Sequence, residues 1–202
     1  WHMNKLAADE KLTPLEERLY SELTSIFDRR AVVTSPADLE FLAKDFGEID
    51  LTALPSDLTS QQVVEARLTE IERCLAAEAP LAVIFLVGST LEGLLMELAK
   101  AHPTEYTSSS AAPKVHNKPK PIDTWTLAEL ITVSRALGVV GEDVLKHADQ
   151  VRNFRNYIHP LQQLRDNFEP RIATARIAQQ VLLAALSDLK KLTGTQQSDA
   201  GV

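Results

Sequence analysis

A single cysteine, Cys74, leaves this chain without the means for a disulfide framework or a cysteine-based zinc site, since both need several thiols at set spacings. A reducing, cytoplasmic setting is therefore expected. Positive charge is in deficit: 21 Lys and Arg stand against 28 Asp and Glu, for a net charge of -7. Coating nucleic acid by bulk electrostatics needs a basic surface, so any nucleic-acid site must be local. No Gly-rich phosphate loop and no G-x-S-x-G elbow is present, because GSTLEG at 88–93 lacks the strand context that either requires. Kinase and hydrolase readings fall away. His102, His147 and Cys74 show no ligand spacing, so no metal site and no cofactor are expected.

Trp1 and His2 precede Met3 and read as an expression scar. The stretch after Met3, NKLAADEKLTPLEE, has no apolar region of signal-peptide type. The most apolar run, PLAVIFLVGSTLEGLLMELAK, carries Glu92, Glu97 and two glycines. Its uninterrupted apolar part falls well short of the roughly 20 residues a bilayer span needs, so it is expected as a core helix and no membrane partner is expected.

What is present is helical punctuation. Thr13, Pro14 and Glu16 supply a cap, a first-position proline and a capping-box acid, followed by Leu15, Leu19, Leu23, Ile26 and Phe27 on one face. SPADLEFLAKDFG reads as a short helix between Ser35 and a stop at Gly47, and the following segment to Ser60 as a loop. Thr59 and Gln62 form a second capping box ahead of Val64, Leu68, Ile71 and Leu75, and Pro80 either separates that helix from the central one at 81–101 or kinks a continuous one. Residues 103–122 combine Ser, Pro and Lys without periodicity and read as a long loop or disordered segment. Thr126 and Glu129 open a helix that Gly138 stops, and Ile177, Val181, Ala184, Leu186 and Leu189 mark a last amphipathic helix at 170–193.

No strand pattern survives, AVVT at 31–34 being the only β-branched cluster, and no repeat of solenoid period occurs. The expected fold class is all-α. The expected organisation is an N-terminal helical extension over 3–60, a helical bundle over 61–193 and a disordered tail over 194–202.

Against this apolar periodicity, VRNFRNYIHP at 151–160 collects two arginines, two asparagines and a histidine. At about 100° per residue, Arg152, Arg155, Asn156 and His159 fall within roughly 100° of arc, on one face of a helix. Val144, Val151, Phe154, Ile158 and Leu161 run beside them as an apolar stripe, which sets the polar face at the edge of the buried side. Pro160 disfavours helical geometry at His159, placing the imidazole at a helix C-terminus, where the dipole favours its protonated form while the two guanidiniums oppose it.

This stretch resembles the signature of the HEPN superfamily, all-α domains with an Arg, a polar residue and a histidine after a short spacer. Arg152, Asn153 and His159 match it with six residues between Arg and His; Arg155 to His159 leaves only three and falls outside the pattern. An apolar helix upstream, FLVGSTLEGLLMELA, then a loop and a motif helix near the C-terminus follow the same order. The likeness covers about residues 61 to 193 and leaves the first 60 without a counterpart.

The resemblance implies a HEPN-like bundle and a metal-independent ribonuclease whose motif faces meet across a homodimer. The RNA 2′-OH would attack the adjacent phosphate, with His159 as general acid or base and Arg152 clamping the phosphate. Arg155 would be a second cation, and Asn153 and Asn156 would orient. Many family members are toxins or phage-defence effectors, so an antitoxin or defence-system protein is an expected partner beside RNA. Many others are non-catalytic dimerisation or interaction modules, binding a protein or a nucleotide. The same side chains also fit a structural role, with Arg152 and Arg155 pairing acids such as Glu92 or Asp149 and His159 bonding a free carbonyl.

Two further groups stand out. Lys114, Lys118 and Lys120, with His116, sit in PKVHNKPKP and suit either a substrate-contacting flap or a solvated linker. Glu92, between Gly88 and Gly93 in the apolar helix, is expected to need a cationic partner, with Arg152 or Arg155 the natural one, unless those glycines serve only close helix packing.

Overall fold

Pro80 opens the most apolar helix at its first position, where its missing N–H removes no bond and its fixed φ suits the first turn. In a computed structural model of the chain, residues 13, 35–47, 49, 51, 54, 60–147, 160–165 and 169–199 are described, with side chains as far as residue 190. The chain divides into two compact units, 1–37 and 38–202, and the buried core lies in the second. Phe41 and Leu54 are part of that core.

The described elements are α1 (Pro36–Leu42), α2 (Gln61–Ala76), α3 (Pro80–Ala101), α4 (Pro103–Ser108), β1 (Lys114–Val115), β2 (Lys118–Pro119), a 3-10 turn (Ile122–Thr124), α5 (Leu127–Ala136), α6 (Pro160–Arg165) and α7 (Ile172–Asp199). Helical turns also occupy 142–147. The fold is all-α apart from one two-stranded hairpin among the described residues.

Helix α3 is the centre. It packs against α7, α2 and α5, and Val83, Ile84, Val87, Leu91, Leu94, Leu95 and Leu98 are buried along it. By length and composition α3 could cross a bilayer, but in this fold half of its most apolar window is buried against other helices. Helix α7 packs on it, and Ala178, Val181, Leu182, Ala185 and Leu189 are buried along α7. It continues to Asp199, into the segment expected as a disordered tail.

Two helix ends show how the chain turns. After α5, Gly138 at φ 73° lets its own N–H reach the Arg135 carbonyl and that of Val139 reach Ser134, the paired bonds of a Schellman stop. Helix α2 ends the same way, with Glu78 at φ 52° in the glycine position and the N–H of Ala79 bonded to Cys74. At the α5 start the expected capping box forms, Thr126 and Glu129 each bonding the other's backbone N–H. At the α2 start, Thr59 of the expected box lies outside the described residues. Ser60 is the cap residue and makes no capping bond; its hydroxyl donates instead to Glu97 on α3.

Other expectations also change. Helix α1 stops at Leu42, short of Gly47. The segment 103–122, expected as a loop or disordered, folds into α4, the hairpin and the 3-10 turn. Tyr106 anchors it, buried with its phenol 2.9 Å from Ser134 Oγ and its ring tilted against Trp125. The N–H of Gly141 donates to Asp188 Oδ2 at 2.8 Å, and a Cβ there would lie 3.0 Å from that same oxygen, so a larger residue asks the Asp188 carboxylate to shift.

Candidate functional site

The motif side chains Arg152, Asn153, Arg155, Asn156 and His159 lie outside the described residues, as do Val151, Phe154 and Ile158. Both flanks are described. Upstream, Val144 and His147 are three residues apart on the turns at 142–147, so they share a face, and both are buried. His147 stacks on Phe41 of α1, and its Nδ1 lies 3.9 Å from Asp38 Oδ1. Lys44 Nζ reaches Asp143 Oδ1 at 2.7 Å, and Gln180 of α7 donates to the carbonyls of Leu42 and Lys44, each at 3.1 Å. The segment from Asp38 to Lys44 thereby holds the turns that lead into the motif stretch.

Downstream, α6 is described from Pro160 to Arg165. Leu161, expected on the buried stripe, is instead 76% exposed, and Leu164 is 77% exposed beside it. The stripe expectation fails at Leu161, while Val151, Phe154 and Ile158 of the same stripe lie outside the described residues.

Glu92 is half-buried on α3 and makes an electrostatic or hydrogen-bonding interaction, so it is not stranded in the core. Of the flanking glycines, Gly88 is buried, while a Cβ on the exposed Gly93 would meet nothing within 4 Å. Close packing therefore does not explain Gly93. The arginines named as partners of Glu92 fall outside the described residues.

The structure separates the three lysines. Lys114 and Lys118 are exposed on the hairpin, whose register pairs Lys114 with Pro119 and Val115 with Lys118. His116 and Asn117 form the two-residue turn at φ 50° and 62°, the doubly left-handed geometry that matches strand twist. Lys120 turns inward and bonds Glu129 Oε1 at 2.7 Å, both side chains being about three-quarters buried. Its backbone N–H donates to Pro113 at 2.8 Å and its carbonyl accepts the Trp125 indole N–H at 3.0 Å. Lys120 is thus the foot of the hairpin.

Glu129 joins that foot to α5, since its second oxygen accepts from the backbone N–H and hydroxyl of Thr126 at 2.7 and 3.1 Å. Burial pulls the Glu129 carboxyl upward. Bonds from Lys120 and Thr126, with the Lys120 charge, outweigh that and hold it below the usual glutamate value.

Sequence reading missed the Phe41–His147 contact and the Glu97–Ser60 bond. The face shared by His147 and Val144 was the available sign of the first, and nothing local marks the second. Set against family models, characterised proteins and solved structures, the chain matches none.

Proposed function

We propose that this chain is a homodimeric endoribonuclease of HEPN type, acting without a metal in the cytoplasm as a toxin or phage-defence effector. The observation that carries the reading is the one-face spacing of Arg152, Arg155, Asn156 and His159 in an all-α protein, with Asn153 completing the motif order. In the reaction the 2′ oxygen of RNA forms a bond to the adjacent phosphorus and the P–O5′ bond breaks. His159 takes the 2′-OH proton or supplies one to the leaving oxygen, and Arg152 offsets charge on the phosphorane-like transition state. Arg155 adds a second cation.

The test is cleavage of end-labelled RNA in EDTA. The expected products end in a 2′,3′-cyclic phosphate, and His159→Ala lowers the rate by about 10²–10⁴-fold, the usual worth of a general acid–base group. Cutting that EDTA abolishes, or a well-folded His159→Ala protein with full activity, overturns the reading.

A second reading, a non-catalytic module that binds an antitoxin or a larger effector, is favoured by the paired exposure of Leu161 and Leu164 directly after the motif. Overexpression separates the two. A toxic parent with a harmless His159→Ala version marks the enzyme, and equal harmlessness marks the module.

A further inference from the structure

The hairpin concentrates one sign of charge on a protein dominated by the other. From Tyr106 to Ile122 there is no acidic residue, although the chain as a whole carries a net charge of -7. Residues 114–119 are all exposed, and among the described residues neither Lys114 nor Lys118 bonds to or pairs with another side chain, whereas Lys120 is neutralised by Glu129. Two unneutralised cations therefore stand on a projection held at its foot by the Lys120–Glu129 pair, the Trp125 indole and the Lys120–Pro113 backbone bond.

Residues directly opposite in an antiparallel pair point to the same side of the ribbon, and successive residues point to opposite sides. Val115 and Lys118 hence share one face, and Lys114 and Pro119 share the other. Each face presents one ammonium beside one apolar side chain, with the His116 imidazole at the tip. His116 takes φ 50° at the tip, a left-handed geometry in which histidine, like asparagine, is enriched among non-glycine residues.

We propose that this hairpin is a preformed finger for single-stranded RNA, in which Lys114 and Lys118 each pair with one backbone phosphate and Val115, Pro119 and His116 lie against sugars and bases. The proposal rests on the ribonuclease reading for the choice of RNA. Cations on opposite faces of a narrow ribbon suit a flexible strand that can pass around it. A duplex backbone is stiff and meets one face at a time, and A-form RNA has a major groove too narrow for side chains to read. Lysine is a point charge without a planar fork, so the finger holds the backbone and does not read sequence.

The experiment measures binding of a fluorescent oligouridylate to the full-length protein carrying His159→Ala, as a function of salt. Each phosphate neutralised on a single strand contributes about 0.7 to the slope of log affinity against log salt. Lys114→Gln and Lys118→Gln should each flatten that slope by about 0.7, and the double variant by about 1.4. Lys100→Gln, which removes a cation already paired with Asp123, should leave it unchanged. Circular dichroism of the double variant should match the parent, since both side chains are exposed.

A parent that does not bind the oligonucleotide at low salt, or a double variant with the parent slope, overturns the finger. So does pelleting of the parent with phosphatidylserine vesicles, lost in the double variant, without oligonucleotide binding. The two proposals fail separately. A flattened slope in a protein whose wild type never cuts RNA keeps the finger and removes the catalysis, and an unchanged slope with His159-dependent cutting does the reverse.

Discussion

The imidazole of His147 lies on the ring of Phe41, with centroids 4.1 Å apart and 15° between their planes. The contact ties α1 to the turns at 142–147, and the Lys44–Asp143 pair and the Gln180 amide fasten the same segment at its other end. Segment 38–47 is thereby part of the bundle's support at the point where the chain enters the motif stretch.

Phe41→Ala should lower unfolding free energy by about 3 to 5 kcal/mol, the usual cost of removing a buried aromatic ring. Phe41→Leu should cost less, because much of the volume remains. Equilibrium urea melts read both. Lys44→Ala, which breaks a pair about 40% exposed, should cost no more than about 1 kcal/mol. A Phe41→Ala protein that melts with the parent would show that α1 contributes nothing to the core.

Tyr106 and Ser134 share a buried hydrogen bond at 2.9 Å between α4 and α5. Tyr106→Phe leaves the serine hydroxyl without that partner and should cost about 1 to 3 kcal/mol. The Tyr106→Phe, Ser134→Ala double variant should lose less than the sum of the single losses, since removing both partners strands neither. Strict additivity in thermal melts would place the two groups out of contact.

Because the Glu129 carboxyl titrates below its ordinary value, its contribution to stability is complete above the unfolded glutamate pKa of about 4.3 and is lost as pH falls through the lower folded value. Glu129→Gln should therefore narrow its stability gap to the parent on acidification to about pH 3, and leave a pH-independent gap above about pH 5. Amide exchange of the 113–120 hairpin should rise in the same variant, as Lys120 loses its anchor. An identical acid limb in parent and variant counts against the pairing.

Glu97 accepts the Ser60 hydroxyl at the start of α2, so the carboxylate nearer the end of α3 has a tertiary task. Ser60→Ala and Glu97→Gln should each destabilise by about 1.5 to 3 kcal/mol, in the range of hydrogen bonds to charged groups, and should couple in a double-mutant cycle. For Glu92, half-buried and engaged, the corresponding cycle with Arg152 and with Arg155 tests whether it steadies the motif. Coupling to neither arginine would remove Glu92 from the site.

Much of the helical frame is local physics and could be read directly. Thr126 and Glu129 sit three apart and satisfy each other's backbone groups, Pro80 stands at a helix start, and Gly138 supplies the left-handed residue that ends one. The apolar faces of α3 and α7 follow from spacing, because a helix buries whatever its 3.6-residue period puts on one side. The order of Arg152, Asn153 and His159 is likewise a property of the chain alone.

Tertiary structure decided where local signals compete or fall silent. Ser60 stands at the start of α2 without a capping bond and donates its hydroxyl to Glu97, a carboxylate that α3 brings up from 37 positions along the chain. The strands of the hairpin are two residues long, too short for alternation to show, and they hold because Lys120 meets Glu129 and Trp125 from outside the ribbon. Leu161, expected on the buried stripe, is exposed, and Phe41 packs in the core against His147, 106 positions along the chain, which no window of sequence can anticipate. Periodicity tells a side chain which way to face within its own element; only packing supplies what it faces.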